Sequence, residues 1–378
     1  MKEMSLNTMK NYLVYTNVTT WDEPPRARHQ VTNELKADGV VYFVEKNRVG
    51  RPRVELRKAE ENVVVVTPYF PVVHKARYRM PVINEVYHNW LLKKIGDLDL
   101  RFDMVVNFDH TAPCINRYFD NVVFYCADDI VGVGNFNPFF INRYHARTER
   151  LVAEKSKACI CTSEYMGQKI GMYNRNTHVV PLGAPLINYH GTVAPAREKE
   201  LPTLGLVGYL DNNMDMELLY QILDQFHTIF IGPVSEANRK KLARFPKAEL
   251  VGPKTGAALY EALSRADVCI APYDPAKLNK GATPNKLWLY LTLGKPAVVT
   301  NMPNIEKWDL GEELVYRCEN KDFIANCIKA YREDSIEHVI RRQELARGNS
   351  WKHRVEKIKE IYHRSITPAP EPETRLVA

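Results

Sequence analysis

The chain predicts an α/β protein of two doubly wound halves, each a mostly parallel sheet with helices on both faces. Three observations predict it. Short β-branched runs alternate with helical or loop segments along most of the chain, as strand–helix–strand units on a parallel sheet require. At 378 residues the chain is long for one hydrophobic core and comfortable for two. The alternation breaks once, across residues 185–202, where Gly, Pro and a charged cluster at 197–200 replace it.

The elements follow in order. Residues 12–15 read as a first strand, 21–25 as a polar turn and 26–36 as a helix, with a second strand over 40–44. A third strand spans 63–67, and residues 81–95 carry a strong helical spacing. Further short strands fall at 104–108, 122–126, 158–162 and 178–180. These make a first domain over residues 1–188, with a linker at 189–202. A second domain at 203–350 repeats the alternation. A basic helix at 351–366 closes the fold, and 367–378, with three prolines and no apolar period, reads as a disordered tail.

Composition narrows the class. Hydrophobic content of 45% and charged content of 26% are those of an ordinary globular protein. The net charge of +7 is mild and comes with no nucleic-acid motif, so no nucleic-acid partner is expected. The seven cysteines form no C-x-x-C pair and suit a reducing cytoplasm. No signal peptide and no run long enough to span a bilayer is visible.

Residues 267–300 are the most informative stretch. A buried-type strand stops at Pro272, and a polar loop carries Asp274, Asn279 and Gly281. Pro284 fits the first turn of a helix. Leu287, Tyr290, Leu291 and Leu293 then keep a helical spacing up to Gly294. A strand end, a loop and a helix start make an anion site in an open α/β sheet. Lys286, in the first turn, adds a full charge there, and a diphosphate is its natural guest.

The pattern Pro284, Lys286, Leu287, Tyr290, Leu291, Gly294, Lys295, Pro296, Val298, Thr300 resembles the donor-binding signature of GT-B glycosyltransferases of the group 1 type. The stretches GLVGY at 205–209, IFIGP at 229–233, LVG at 250–252, YEALSRAD at 260–267 and SWKHR at 350–354 resemble other parts of that family in the expected order. The resemblance covers about half the chain. It implies two Rossmann-like domains facing a cleft. A nucleotide-diphosphate sugar, UDP-linked, would bind the second domain, and a glycan or lipid-linked acceptor the first. On this reading Gly208 lets the backbone approach the phosphates and Lys286 pairs with the diphosphate. Tyr209, Tyr273, Pro284 and Asn285 contact nucleotide or sugar. Lys286 and a helix dipole neutralise the diphosphate, so no cofactor and no metal are expected.

In the first half Asp128 ends the apolar run VVFYC and therefore stands where such sheets bind ligands. A carboxylate there is placed to take a proton from an acceptor hydroxyl. The alternative is a helix or turn cap, which serves equally for Asp129. The context of Asp128 resembles the base-bearing segment of the inverting glucuronosyltransferase of xanthan assembly. Weaker acceptor-side candidates are Asp22, Arg28, His29, Asp109, His110 and Glu164. One departure stands out: where many retaining relatives place a ribose-binding glutamate, this chain has Leu289. That favours an inverting mechanism. It also leaves open a retaining transferase, a non-catalytic nucleotide-sugar scaffold and a sugar-nucleotide epimerase.

The basic surplus is uneven. Residues 46–101 hold 12 Lys and Arg against 6 Asp and Glu. Arg77, Arg79, Lys93 and Lys94 lie there beside Trp90 and other apolar residues. Such a segment suits an anionic membrane surface, although a core face with a solvated rim reads the same way. A cytoplasmic protein, peripheral on the inner face of the plasma membrane and active on a polyprenyl-linked acceptor, is the resulting expectation.

Overall fold

A computed structural model describes residues 9–132, 139–185, 199–210, 213–278, 280–306 and 310–367. Within them, the residues through Pro181 together with those from Val355 onward form one compact unit, and Leu182–Arg354 form the other. Residues 189–198 of the expected linker and 368–378 of the expected tail lie outside the described residues.

The first unit is built on strands β1 (Lys10–Tyr15), β2 (Gly39–Val44), β3 (Arg48–Val49), β4 (Arg53–Glu60), β5 (Val63–Phe70), β6 (Met104–Asn107), β7 (Val122–Cys126), β8 (Ala158–Cys161) and β9 (Thr177–Val179). Their order is β3-β5-β2-β1-β6-β7-β8-β9, with β4 on the outer side of β5. Every pairing is parallel except β4 with β5. The winding reverses at β1, whose neighbours are β2 and β6. Ligands of such sheets collect beyond the strand C-termini at that reversal.

The central strands are apolar on both faces because helices cover both. Leu13, Tyr15, Val44 and Val105 pack against Tyr87, Leu91, Leu92 and Ile95 of helix Pro81–Gly96. Phe124, Cys126, Cys159 and Cys161 pack with Val152 and Ala153 of helix Phe139–Lys155. The C-terminal helix Trp351–Ile366 joins this unit from Val355 onward. Its Tyr362 hydroxyl donates to the Asp103 carbonyl at 2.7 Å, and Lys359 pairs with Asp38 at 2.9 Å.

The second unit carries β10 (Leu204–Val207), β11 (Thr228–Ile231), β12 (Ala248–Leu250), β13 (Val268–Ala271), β14 (Ala297–Thr300) and β15 (Val315–Cys318). Their order is β12-β11-β10-β13-β14-β15, all parallel. This is the doubly wound order with its reversal between β10 and β13. Helices Met216–Gln225 and Phe323–Glu333 bury Leu218, Leu219, Ile222, Phe323, Cys327 and Ala330 against one face. Asp215 and Ser235 cap their helices by accepting from Leu218 N and Asn238 N. Each such cap is worth about 1 kcal/mol.

Three local readings change. The charged edge strands β3 and β4, absent from the sequence reading, both pair with β5 and are mostly exposed. Helix Asn285–Thr292 starts one residue after Pro284, which is its N-cap rather than part of its first turn. The strand expected to reach Thr67 runs on to Phe70 because β4 pairs along it.

Candidate active site

In the second unit the site grows from a gap in the sheet. The ladder between β10 and β13 covers only Leu204–Val268 and Gly205–Cys269. Beyond it the strands part, and the buried Tyr290 hydroxyl fills the opening. It accepts from Val207 N at 3.0 Å and donates to the Ile270 carbonyl at 3.1 Å. Desolvation and the nearby Cys269 keep this phenol well above its ordinary pKa, hence neutral and able to donate.

Gly208 follows β10 with a φ of +120°, a region L-residues avoid. A Cβ built there would lie 3.4 Å from the Lys286 Nζ. Its partner turn is as tight: a Cβ on Gly232 would stand 2.0 Å from the Gly208 carbonyl oxygen. Lys286, half-buried in the first turn of helix Asn285–Thr292, holds its ammonium 5.0 Å from the centre of the Tyr273 ring. Tyr273 is clamped through its backbone. Its N–H reaches Thr300 Oγ1 at 2.9 Å and its carbonyl accepts from Asn320 Nδ2 at 3.0 Å. The loop before the helix is strapped by Asn304, whose Nδ2 donates to the Lys280 and Ala282 carbonyls at 2.8 and 2.9 Å. Thus Gly208, Tyr273 and Lys286 come together at the sheet's reversal. Pro284 is buried at the helix start, while Asn285 and Tyr209 are exposed beside it. Leu289 lies on the same helix, partly buried.

In the first unit Asp128 and Asp129 separate by what they touch. Asp129 is buried. It accepts from Gly132 N at 2.9 Å and pairs with Lys169 at 2.7 Å, and Lys169 also meets Glu149 at 2.6 Å. Asp128 is exposed, and no described residue hydrogen-bonds or ion-pairs with its carboxylate. The strand end beneath it is pinned, since Thr162 Oγ1 donates to the Ala127 carbonyl at 2.6 Å. Asp128 keeps solvent contact yet stands among enough protein that desolvation raises its carboxyl above the ordinary range. Arg28 and Arg26 pull it back only in part. Arg28 donates to Thr19 Oγ1 at 2.5 Å and lies 5.8 Å from the Phe108 ring.

The other acceptor-side candidates fall elsewhere. His29 is buried, and both its ring nitrogens are engaged, by Arg26 N at 3.1 Å and the Thr20 carbonyl at 3.0 Å. It caps its own helix rather than serving as a base. Asp22 is exposed and pairs with Arg57 at 3.4 Å. Glu164 is exposed in the first turn of helix Glu164–Gly171, which Ser163 caps.

Asp109 and His110 sit inside a buried polar cluster at the first sheet's reversal. Asp109 accepts from Asn17 Nδ2 at 2.9 Å, the Tyr78 hydroxyl at 2.7 Å and Thr111 N at 2.8 Å. Burial would raise its carboxyl, but His88, His110, Arg77 and the Asn17 donor outweigh it and hold it far below the carboxylate range. His110 meets His145 at 2.9 Å, and His145 Nε2 donates to the Tyr78 carbonyl at 3.0 Å.

Arg77 corrects the sequence reading. It is fully buried, not membrane-facing: its guanidinium bonds to Asn84 and, at 3.3 Å, to Asn47, and lies 3.8 Å from the Tyr87 ring centre. Trp90 is half-buried against Phe70 and Tyr87, whereas Arg79, Lys93 and Lys94 are exposed. Sequence reasoning missed Tyr290's hydroxyl, Gly232 and Asn304. Of these, only Gly232, the glycine of IFIGP, left a visible trace.

Among the described residues no three His, Cys, Asp or Glu side chains gather as a metal site requires. No described helix is long and apolar enough to cross a membrane.

Two doubly wound units in one chain are the architecture of the GT-B fold of glycosyltransferases, and solved structures of that fold align with this one. The catalytic domain of starch synthase IV from Arabidopsis thaliana, bound to ADP and acarbose, aligns with a TM-score of 0.65 at 9% identity, covering 94% of this chain and 99% of that one. An E. coli trehalose-6-phosphate structure with UDP-2-fluoro glucose aligns at 0.66 and 12% identity, covering 95% and 100%. In sequence, the chain is similar to a Bacillus subtilis (strain 168) protein named for teichuronic acid biosynthesis as a glycosyltransferase, TuaH. The two are 24% identical over 256 residues, 61% of this chain and 64% of that protein. The match therefore spans less than two thirds of that relative. No family model matches the chain.

Proposed function

We propose that the protein transfers a sugar from a nucleoside-diphosphate donor, UDP-linked, to a hydroxyl of a glycan or polyprenyl-linked acceptor in surface-polysaccharide assembly, with inversion at the anomeric carbon. The observation that carries this is the ammonium of Lys286 above Gly208 at the second sheet's reversal. Backbone, cation and helix N-terminus converge there on one anion.

In the proposed reaction Asp128 accepts the acceptor's hydroxyl proton as the oxygen bonds to the anomeric carbon. The bond from that carbon to the donor phosphate breaks, and Lys286 neutralises the charge left on the diphosphate. An uncommitted carboxylate at a strand end supports that role for Asp128, and the binding of Asp129 to Lys169 and Gly132 speaks against the neighbour. Leu289, in place of the acid that grips ribose in many retaining relatives, supports inversion. Lys286 and the start of helix Asn285–Thr292 supply the charge that makes a metal unnecessary. The reaction would run at the cytoplasmic face of an anionic membrane.

The test is release of nucleoside diphosphate from UDP-sugars with and without glycan or polyprenyl-linked acceptors, with the anomeric configuration of the product read by NMR. Acceptor-dependent release and inversion support the reading. Conversion of the sugar nucleotide without acceptor would assign an epimerase, and retention would remove Asp128 from its role.

A further inference from the structure

Two helix starts in the first unit leave large apolar side chains in water beside uncompensated cations. Helix Phe139–Lys155 opens with Phe139 and Phe140, 79% and 60% exposed. Helix Pro81–Gly96 follows Met80 and carries Val82 and Val86, 75% and 57% exposed. Apolar side chains exposed singly are ordinary, whereas a group of them rimmed by polar residues marks an interaction face.

The two starts are neighbours. Asn84 Nδ2 donates to the Tyr144 hydroxyl at 3.0 Å, and His145 Nε2 donates to the Tyr78 carbonyl at 3.0 Å. Phe140 lies one helical turn before Tyr144, so it stands close to the start of the other helix. Val82 and Val86 lie on the side of their helix opposite Asn84, away from helix Phe139–Lys155, so the face lies on that second helix, where Phe139, Phe140, Arg143 and Arg147 share one exposed side.

The exposed charge around them is mostly basic. Arg79, Lys93, Arg143 and Arg147 are exposed and make no ion pair among the described residues. Lys94 meets only Asp97 of its own helix end, at 3.5 Å. The opposing acid is Glu85, exposed on the same helix.

We propose that this face docks on an anionic lipid bilayer, with Phe139 and Phe140 entering the boundary between headgroups and acyl chains and Arg79, Arg143 and Arg147 meeting lipid phosphates. Apolar side chains that end beside cations suit such an interface. A second copy of the chain fits less well, because a two-fold contact through this patch would set arginines against arginines. The inference deepens the proposed function, since a polyprenyl-linked acceptor is met at such a surface. Its test uses no sugar and no turnover, so the two readings fail separately.

Full-length protein is sedimented with phosphatidylcholine vesicles lacking or containing phosphatidylglycerol, at low and high salt. The variants are Phe139→Ser with Phe140→Ser and Arg143→Glu with Arg147→Glu, with Val82→Asp and Val86→Asp together as a control off the face that should bind as wild type, each with its melting temperature as the check on folding. Wild type should pellet with the anionic vesicles and stay in solution with the zwitterionic ones. The phenylalanine pair should weaken partitioning about tenfold or more, and charge reversal should abolish it, both with unchanged melting temperature. Failure of wild type to pellet with anionic vesicles overturns the proposal, as does wild-type binding by the folded phenylalanine and arginine variants. A concentration-dependent dimer dissolved by the phenylalanine pair would give the face to a second copy instead.

Discussion

Lys286 holds its ammonium against Gly208: a Cβ built on the glycine would stand in van der Waals contact with the lysine, 3.4 Å from its Nζ. The two residues lie far apart in sequence and meet because β10 and β13 flank the reversal of the sheet. Gly208→Ala should therefore act twice. It forces a residue with a side chain to a φ of +120°, a strain of about 1–3 kcal/mol, and it sets a methyl in contact with the Lys286 ammonium, on ground the proposed diphosphate would need. Calorimetric titration with UDP should show weakened binding, and urea unfolding a loss of stability of that order. Wild-type affinity in the variant would contradict the placing of a diphosphate there.

Tyr290→Phe should destabilise the second unit without touching the proposed donor. The change strips the partners from the Val207 N–H and the Ile270 carbonyl, both served by one buried hydroxyl. Leaving buried polar groups unpaired costs about 1–3 kcal/mol each. Urea unfolding should move by that order, and a neutral result would mean that the gap closes on its own.

Asp128→Asn and Asp129→Ala should fail in different ways. Loss of a general base lowers turnover by roughly 10²–10⁴, so Asp128→Asn should keep its melting temperature and UDP affinity and lose turnover. Asp129→Ala should lose stability, because Lys169 and Gly132 N each lose a partner. The pH profile adds a sign. Desolvation raises the Asp128 carboxyl, with Arg28 and Arg26 opposing, so the ionised base is lost on acidification at a pH above the ordinary aspartate range. The acid limb of kcat/KM should lie there, and Arg28→Gln should push it higher still. A limb that ignores Arg28 would detach the titrating group from Asp128.

Acid should destabilise the first unit well before ordinary carboxylates titrate. Desolvation pushes His88 down to about 3 and His110 to about 4. Both rings are therefore neutral in the fold at pH 7, while in the unfolded chain they take protons near pH 6.5. A group whose folded pKa is depressed gives stability that is complete above the unfolded value and lost as pH falls towards the folded one. Melting temperature should drop from pH 7 towards pH 4. Asp109, also depressed, extends the loss to lower pH. A flat profile over that span would contradict the neutral buried histidines.

Much of the fold was legible because its strands are buried on both faces and so read as short apolar runs. The strand Val122–Cys126 was read at its observed limits. The edge strands β3 and β4 escaped because Arg48–Val49 is only two residues long and Arg53–Glu60 has little apolar face to announce it. Arg77 was misread for a related reason: a lone basic residue in a basic stretch looks like surface. Only the three-dimensional meeting of Asn47, Asn84 and Tyr87 makes a buried guanidinium tolerable there. Tyr290 could be read as an apolar helix position. Its hydroxyl's partners lie 83 and 20 residues away, a separation that spacing within one helix does not report.

The most direct test of the central claim is calorimetric titration of UDP and UDP-sugars into wild type and Lys286→Ala. The account predicts one saturable site in the wild type that is lost or strongly weakened in the variant, whose melting temperature without ligand is unchanged. No binding by wild type, or equal binding by both proteins, would contradict a donor site built on Lys286 and Gly208.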